Sequence, residues 1–282
     1  LVPEDNAVSF QGARSTAMRE ADFVLVVGTR LNWMMQYGQR FAPDAKIVQI
    51  DIDGRELGHN RNIDLGIQAD AKAALGQLLA EAEARDGEFA DRLESDWVIR
   101  LREDNDRRAE QSAPLLNSDA QPIHPLRLCK EIREFLDRDA IVSVDGNEIL
   151  HFGRQSIPTN VPGHRLNSGV TGTMGVGLPY GIGAQLAKPD AQVLVLHGDG
   201  SMGLNVMEID TAVRHNLPVV TVVSNNAGWT ARDPEHRKPG RELGFTAFDE
   251  MAAALGGYGE KVEDPAQIRP ALERAFDSGV AA

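Results

Sequence analysis

The sequence predicts an α/β protein with two doubly wound domains whose sheets are mainly parallel. Three observations lead to this prediction: short apolar runs recur along the chain, helix-like stretches lie between them, and glycines follow several of the runs. A parallel strand is reached through a crossover connection that is usually a helix, so this alternation indicates parallel sheets. The 282 residues give room for about two domains.

The first domain is predicted over residues 1–86. Residues 21–28 and 46–53 are short apolar runs of the kind that form buried strands. Helix-like stretches lie between and after them, the last at residues 71–85. Residues 87–120 are strongly charged and contain no clear strand, so we interpret them as a linker between the domains.

The second domain is predicted over residues 121–282. Its expected elements are, in order, a helix at 125–137, a strand at 140–144, a glycine-rich turn and helix at 172–186, a strand at 192–197, a helix at about 205–215 and a strand at 218–223. The sequence starts with leucine and stops where another strand could begin. We therefore interpret it as a piece of a longer protein, truncated at the C-terminus.

Composition and charge limit the classes of function. A formal net charge of -13, with basic residues scattered among acidic ones, argues against nucleic-acid binding. No apolar run reaches the roughly 18 residues that a membrane span needs. The single cysteine, Cys129, cannot form an internal disulfide and is interpreted as a buried structural thiol. Since residues 1–15 show no signal-peptide pattern, we expect a cytoplasmic protein.

The turn at residues 198–203 has the pattern G-x-G-x-x-G, placed after a strand and before a helix. This pattern is typical of a dinucleotide-binding turn, so an NAD-dependent oxidoreductase is one hypothesis. Two details argue against it. Asp199 would put a carboxylate beside a pyrophosphate, and the next strand ends in Asn225 and Asn226 where an acidic residue is expected to bind a ribose.

A metal ion would remove both objections. Mg²⁺ takes oxygen ligands and is commonly held by one or two protein groups together with phosphate oxygens, which suits Asp199 and Asn226. A helix and a returning strand separate the two residues, so both would lie at the carboxyl ends of neighbouring parallel strands. The backbone amides around Gly200 and Ser201 would then receive phosphate oxygens.

The G-D-G turn with its later pair of asparagines resembles the thiamine diphosphate enzymes. The resemblance implies that Asp199, the Asn226 side chain and the Gly228 carbonyl bind Mg²⁺. Residues 171–179 resemble the family segment that supports the bent cofactor, with Met174 as the apolar prop. The cofactor-binding residues that the resemblance implies are Asn147, Glu148, Thr173, Met174, Gly198, Gly200, Ser201, Met202, Asn226, Gly228 and Trp229. Glu148 is an acid near diphosphate, which is unfavourable unless it is neutral or turned toward substrate or solvent.

The first domain indicates which members of this family the chain resembles. Residues 11–15, 28–33 and 50–53 are similar to the Rossmann-like central domain of oxalyl-CoA decarboxylases and 2-hydroxyacyl-CoA lyases. In the wider group this domain holds an adenine nucleotide, ADP or FAD, in a structural or regulatory role. The contacts implied for such a nucleotide are Arg14, Arg30, Asp51, Ile52, Asp70 and Ala71. An equally open interpretation is that these residues cap strands and form surface pairs.

The loop at residues 225–230 helps to distinguish between the reactions of these family members. Oxalyl-CoA decarboxylases usually have an Ile-Tyr pair after the glycine, whereas this chain has Trp229 and Thr230. We therefore favour a lyase that cleaves 2-hydroxyacyl-CoA to formyl-CoA and an aldehyde or ketone, or catalyses the reverse condensation. Oxalyl-CoA decarboxylase and an acetolactate synthase-like enzyme remain alternatives. Met174, Trp229 and Thr230 are the candidate catalytic residues, and a basic loop could bind the acyl-CoA or be merely solvated: Arg232, Arg237, Lys238 and Arg241.

The resemblance also implies a part that this chain lacks. Relatives have an N-terminal pyrimidine-binding domain whose glutamate activates the cofactor, and no residue here is assigned that role. Such sites are built across subunit interfaces, so a homodimer or homotetramer is expected. A non-catalytic subunit that retains the fold is the other hypothesis of a different class.

Overall fold

The computed structural model describes residues 2–85, 87–88, 92–230, 235 and 238–282. The chain divides into two compact units. The smaller unit comprises Phe10–Glu110, and the larger unit comprises Leu1–Ser9 together with Gln111–Ala282.

The smaller unit is built around a three-stranded parallel sheet with the strand order β1-β2-β3. Its helices and strands are α1 (Arg14–Glu20), β1 (Phe23–Val27), β2 (Lys46–Asp51), β3 (Leu65–Gln68), α2 (Ala71–Ala84) and α3 (Asp96–Leu116). Short 3-10 helices lie at Trp33–Gly38, Gly54–Glu56 and Arg92–Glu94. The helix α3 lies within the segment predicted to be a linker, and its last residues belong to the larger unit.

The core of the smaller unit lies against one face of its sheet. Val26 of β1 and Ile47 of β2 are buried in a cluster with Met18 of α1. Successive side chains of a strand point to opposite faces, so Phe23 and Leu25 lie on the other face of β1. Both remain exposed, Phe23 at 56% and Leu25 at 41%.

The larger unit contains a four-stranded parallel sheet with the order β5-β4-β6-β7. Its helices and strands are α4 (Pro125–Phe135), β4 (Ile141–Asp145), α5 (Glu148–Ser156), β5 (Arg165–Leu166), α6 (Gly177–Ala187), β6 (Val193–Gly198), α7 (Asp199–Asn205), α8 (Glu208–Arg214), β7 (Val220–Ser224), α9 (Phe248–Ala254) and α10 (Ile268–Asp277). Short 3-10 helices lie at Gly169–Thr171 and Pro265–Gln267.

Helices cover both faces of this sheet, as the packing of the central strand β6 shows. Val193 and Val195 pack in a cluster with residues of α6, α7 and α8, whereas Leu194 and Leu196 pack in a second cluster with residues of α4, α5 and α10. A strand buried on both faces is apolar throughout, as the run in this sequence is. The predicted α/β class with parallel sheets is therefore confirmed.

The loops after β4, β6 and β7 lie at the same edge of the sheet, because parallel strands end together. In the strand register Asp145 pairs with His197, and Gly198 pairs with Ser224. The first two loops approach closely at Gly146, which has a positive φ of 136° and whose added Cβ would lie 3.2 Å from the Gly198 nitrogen. Only glycine fits this position without strain.

Some element boundaries differ from the sequence predictions. The helix predicted at about 205–215 is α8, which begins at Glu208, and a separate short helix, α7, precedes it from Asp199. The strand predicted at 46–53 ends at Asp51, since Asp53 instead caps a 3-10 helix by accepting from the Arg55 amide. No helix within the described part of the chain is long and apolar enough to cross a membrane.

Candidate active site

A cleft that is partly open to solvent lies at the carboxyl edge of the larger unit's sheet. Most residues predicted for the metal, the cofactor and catalysis line it, namely Asn147, Glu148, Met174, Gly198, Asp199, Gly200, Ser201, Asn226, Gly228, Trp229 and Thr230. Four other lining residues were not predicted from the sequence: Pro125, Gly146, Ile149 and Ser224. Gly146 and Ser224 directly follow or end strands at this edge, and that position could have identified them.

Asp199 and Asn226 converge on one backbone amide. The Gly228 N–H donates to Asp199 Oδ2 at 2.9 Å and to Asn226 Oδ1 at 3.1 Å. The other carboxylate oxygen, Asp199 Oδ1, accepts from the Gly200 amide at 2.9 Å. The two side chains predicted to bind Mg²⁺ therefore present oxygens to the same point, although the Gly200 amide predicted to receive phosphate is engaged by Asp199.

The side-chain oxygens of Asp199 and Asn226 are suitable ligands for a divalent cation. Asp199 is only 3% exposed, and burial raises the pKa of its carboxyl group, although backbone amides, chiefly that of Gly200, oppose the shift. Among the described residues, no lysine or arginine forms an ion pair with Asp199. A buried carboxylate without a cationic partner is costly, and a cation bound there would remove the cost.

The described residues contain no group of three or more histidine, cysteine, aspartate or glutamate side chains arranged to hold a metal. One carboxylate, one amide oxygen and a backbone carbonyl would therefore leave several coordination positions open. Mg²⁺ commonly fills such positions with water and phosphate oxygens.

The segment that contains Met174 is held by a buried carboxylate. Asp145, at the end of β4, accepts from the Gly177 amide at 2.8 Å, and the amides of Gly175 and Val176 also act on its carboxyl group. Burial raises the pKa of Asp145, and these amides oppose the shift. On the other side, Gly175 approaches α7 so closely that an added Cβ would lie 2.9 Å from the Leu204 Cβ. The loop that presents Met174 is therefore fixed from two directions.

Trp229 lies against the glycine turn. An added Cβ at Gly200 would come within 2.6 Å of the Trp229 ring, so the ring occupies the space that any larger residue would need. The Trp229 amide donates to the Arg241 carbonyl at 2.9 Å, and Arg241 Nη1 donates to Thr230 Oγ1 at 3.3 Å. These contacts fix Trp229 and Thr230 at the cleft.

Ser201 and His197 form a buried network behind the turn. The Ser201 hydroxyl lies 3.0 Å from the Asp145 carbonyl oxygen, 2.9 Å from that of Gly198 and 3.0 Å from His197 Nδ1. His197 is fully buried, and burial lowers its pKa to about 4, so its ring is neutral at pH 7. The Ser201 side chain thus supports the turn from within the structure.

Two predicted cofactor contacts lie outside the cleft lining. Met202 is 2% exposed and packs in the hydrophobic core, because α7 begins at Asp199 and turns this side chain inward. Thr173 is exposed beside Met174.

Cys129 is fully buried, as predicted, and burial raises its pKa to about 12, which makes it an unreactive thiol.

The residues predicted to contact a nucleotide lie mostly at the carboxyl ends of the smaller unit's strands. Asp51 ends β2 and accepts from the Asp53 amide at 2.9 Å, Asp70 caps α2 by accepting from the Ala73 amide at 3.0 Å, and Ala71 follows it. The remaining members are exposed: Arg14 contacts the Met35 sulfur, Arg30 pairs with Glu56 at 3.2 Å, and Ile52 is 71% exposed. These local roles agree with the capping interpretation, and the nucleotide stays a prediction.

The predicted basic loop is only partly within the described residues. Arg232 and Arg237 lie outside them. Lys238 is exposed, and Arg241 contacts Thr230 as described above. Binding of an acyl-CoA by this loop therefore stays a prediction.

Two family models match the chain. The model described as "Thiamine pyrophosphate enzyme, C-terminal TPP binding domain" matches residues 150–282, and "Thiamine pyrophosphate enzyme, central domain" matches residues 4–78. Together they match more than half of the chain, one in each part of the sequence where a domain is predicted. The chain belongs to the thiamine pyrophosphate, or thiamine diphosphate, enzyme family and contains its central and C-terminal domain types.

Similar proteins include members with different reactions. The chain is 35% identical over 288 residues to an acetolactate synthase large subunit of Mycobacterium tuberculosis, an alignment that covers all of this chain and 51% of the relative. It is 32% identical over 293 residues to a 2-hydroxyacyl-CoA lyase of Arabidopsis thaliana, covering 98% of this chain and 51% of the relative. It is 30% identical over 287 residues to the oxalyl-CoA decarboxylase of Escherichia coli, covering 99% and 50%.

The chain therefore spans about half the length of the curated relatives it matches. Its membership supports a thiamine diphosphate-dependent enzyme, in agreement with the motif at residues 198–226. The relatives' names differ in reaction and substrate, so membership of the family does not select one of them.

Proposed function

We propose that this chain forms part of a thiamine diphosphate-dependent carbon–carbon lyase that cleaves 2-hydroxyacyl-CoA to formyl-CoA and an aldehyde or ketone, or catalyses the reverse condensation. The main support is the convergence of Asp199 Oδ2 and Asn226 Oδ1 on the Gly228 amide, at the edge of the sheet where the cleft lies. This arrangement suits a metal ion that bridges the protein and a diphosphate.

Within this proposal, Asp199, Asn226 and the Gly228 carbonyl hold Mg²⁺. Gly198, Gly200 and Asn147 line the cleft beside them and would contact the diphosphate. When bound, thiamine diphosphate supplies an electron sink for breaking a carbon–carbon bond next to a carbonyl. The protein's part is to hold, orient and enclose the reacting groups.

Met174 is proposed to orient the cofactor, and Trp229 and Thr230 are proposed to influence which substrate is accepted. Met174 presents an apolar side chain to the cleft from a loop that Asp145 fixes, which suits a prop for the cofactor. Trp229 and Thr230 line the same cleft and would border the leaving aldehyde or ketone. A bulky indole there would also exclude water from the reacting groups.

The lyase is preferred over the decarboxylase because Trp229 and Thr230 stand where oxalyl-CoA decarboxylases usually have an Ile-Tyr pair. Relatives named 2-hydroxyacyl-CoA lyase, such as that of Arabidopsis thaliana, are 32% identical or less. Acetolactate synthase is the second candidate, since a relative of that name is 35% identical over the whole chain.

The reaction can be tested with the full-length protein, thiamine diphosphate and Mg²⁺. We expect formyl-CoA from 2-hydroxyacyl-CoA esters and not from oxalyl-CoA. Formation of acetolactate from pyruvate without formyl-CoA production would instead establish the second candidate. A protein that binds the cofactor but turns over none of these substrates would support the non-catalytic subunit.

The cofactor can be tested separately from the reaction. Isothermal titration calorimetry should detect thiamine diphosphate binding only when a divalent cation is present. Asp199→Ala should weaken this binding more than about 100-fold, since even groups behind metal ligands cost 10- to 100-fold. The exposed Asp190, changed to alanine, is the matched control. Unchanged binding in the Asp199 variant, or tight NAD binding without metal, would contradict the proposal.

The partners follow from the same proposal. We infer a homodimer or homotetramer with active sites at subunit interfaces, a cytoplasmic location, and ADP as a ligand of the central domain. Light scattering of the full-length protein checks the first inference, and a monomer with full activity would contradict it.

A further inference from the structure

Glu148 contacts the metal-ligand candidate Asn226. The Asn226 side-chain amide, Nδ2, donates to Glu148 Oε2 at 2.8 Å. Glu148 is the first residue of α5, in the loop region after β4, whereas Asn226 follows β7. Since β6 lies between these two strands, the bond joins the segments that follow β4 and β7, on either side of the segment that begins with Asp199 after β6.

This contact determines which way the Asn226 amide points. Its Oδ1 accepts from the Gly228 amide at 3.1 Å, and its Nδ2 donates to the Glu148 carboxylate. In the flipped orientation two donors would face each other at Gly228 and two acceptors would face each other at Glu148. The hydrogen-bond network therefore permits only the orientation in which Oδ1 lies beside Asp199.

We propose that Glu148 is a positioning residue, which holds Asn226 with its Oδ1 directed at the divalent cation. This role rests on the proposed function, because it assumes that Asn226 binds a divalent cation together with Asp199. A carboxylate is a strong acceptor for an amide N–H, and a partner behind a metal ligand fixes the ligand's orientation. The contact also accounts for an acid beside a diphosphate site, because its oxygen is directed at Asn226.

Two other roles for Glu148 must be separated from this one. An acidic residue in the first turn of α5 interacts favourably with the helix N-terminus, and a carboxylate could also bind the metal directly. Both roles depend on the negative charge. Positioning depends only on an acceptor oxygen, which glutamine retains and alanine lacks, so Glu148→Gln and Glu148→Ala distinguish the roles.

The first experiment measures Mn²⁺ affinity of the full-length protein by electron paramagnetic resonance, with saturating thiamine diphosphate. Glu148→Ala should weaken Mn²⁺ binding by about tenfold, the lower end of the effect expected for such a partner. Glu148→Gln should retain affinity to within about threefold of the wild type, since it keeps a hydrogen bond to Asn226. Thermal unfolding without metal or cofactor checks that both variants are folded.

The second experiment tests whether Glu148 acts through Asn226. In an Asn226→Ala background, Glu148→Ala should cause no further loss of Mn²⁺ affinity. Asn226→Asp should weaken binding because two carboxylates then face each other, and adding Glu148→Gln should restore it, since the glutamine amide can donate to the new carboxylate. Failure of this rescue would overturn the positioning role.

The remaining outcomes are also decisive. Equal losses in Glu148→Ala and Glu148→Gln, or additive losses with Asn226→Ala, would overturn the proposal in favour of a charge or direct-ligand role. Wild-type Mn²⁺ affinity in the Glu148→Ala variant would overturn the positioning role of Glu148 but would not contradict the proposed function. If the wild-type protein binds no Mn²⁺ with thiamine diphosphate, the proposed function and this inference both fail.

Discussion

Gly200 shows how a single residue constrains the site. The Trp229 ring fills the space where a side chain at this position would begin, at 2.6 Å from an added Cβ. The glycine is therefore required by its neighbour, the Trp229 ring. This contact joins the glycine turn to the loop that follows the two asparagines.

We predict that Gly200→Ala destabilises the protein by about 1 to 3 kcal/mol, because the Trp229 ring must move. Urea unfolding measures the effect. Trp229→Ala should relieve it, so that Gly200→Ala costs clearly less in that background. Gly203→Ala is the matched control, since an added Cβ there meets no atom within 4 Å. Equal effects of the Gly200 change in both backgrounds would contradict the proposed contact.

The site was predictable from the sequence where it depends on the ends of strands. Asp199 and Asn226 follow consecutive parallel strands of the chain, and the fold rule for such strands brings them together. Contacts between Glu148 and Asn226, or between Asp145 and Gly177, join residues that are far apart in the sequence. They depend on the packing of side chains and loops, which no local pattern specifies.

At the scale of elements, the loop that presents Met174 depends on Asp145. Its carboxylate accepts from the Gly177 amide, and the amides of Gly175 and Val176 also favour its ionised form. Asp145→Asn places an amide donor among these donors, so we predict a loss of stability of about 1 to 3 kcal/mol.

Hydrogen exchange locates this effect. The amides of Gly175, Val176 and Gly177 should exchange faster in the Asp145→Asn variant, whereas those of β6 keep their protection. Asp277→Asn, at an exposed position, is the control. Unchanged exchange at the three amides would show that the carboxylate does not hold the loop.

The smaller unit contains a comparable link between helices. Asp104 of α3 is 4% exposed and accepts from Thr16 Oγ1 of α1 at 2.7 Å, and Arg107 and Arg108 also donate to it. The Thr16 hydrogen bond, with Arg108, lowers the pKa of this carboxyl group below its usual 3.8. This segment was predicted to be a linker because its few buried residues are scattered among charged ones.

This link gives a pH dependence. A carboxyl group whose pKa is lowered by folding stabilises the protein above pH 3.8, and the stabilisation is lost as pH falls through the lower folded pKa. Asp104→Asn should therefore destabilise the protein at pH 7, and by less at low pH. Comparison of urea unfolding at pH 7 and about pH 3 measures this, with the exposed Asp106→Asn as control. A pH-independent effect would rule out the ionised carboxylate as its cause.

At the scale of the whole molecule, the two units are expected to respond to different ligands. Every residue that lines the cleft belongs to the larger unit. Thiamine diphosphate with Mg²⁺ should therefore increase protection from hydrogen exchange in the loops after β4, β6 and β7. A ligand at 100 times its Kd stabilises the folded state by about 2.7 kcal/mol, which is large enough to detect.

ADP supplies the contrasting measurement, since its predicted contacts lie in the smaller unit. If the central domain binds a nucleotide, ADP should protect the loops that begin at Asp51 and Asp70 and leave those of the larger unit unchanged. Asp51→Ala should abolish this protection without affecting the response to thiamine diphosphate. Absence of any ADP effect would leave Asp51 and Asp70 with their local roles only, as partners of the Asp53 and Ala73 amides. The capping interpretation of these residues would then replace the nucleotide hypothesis.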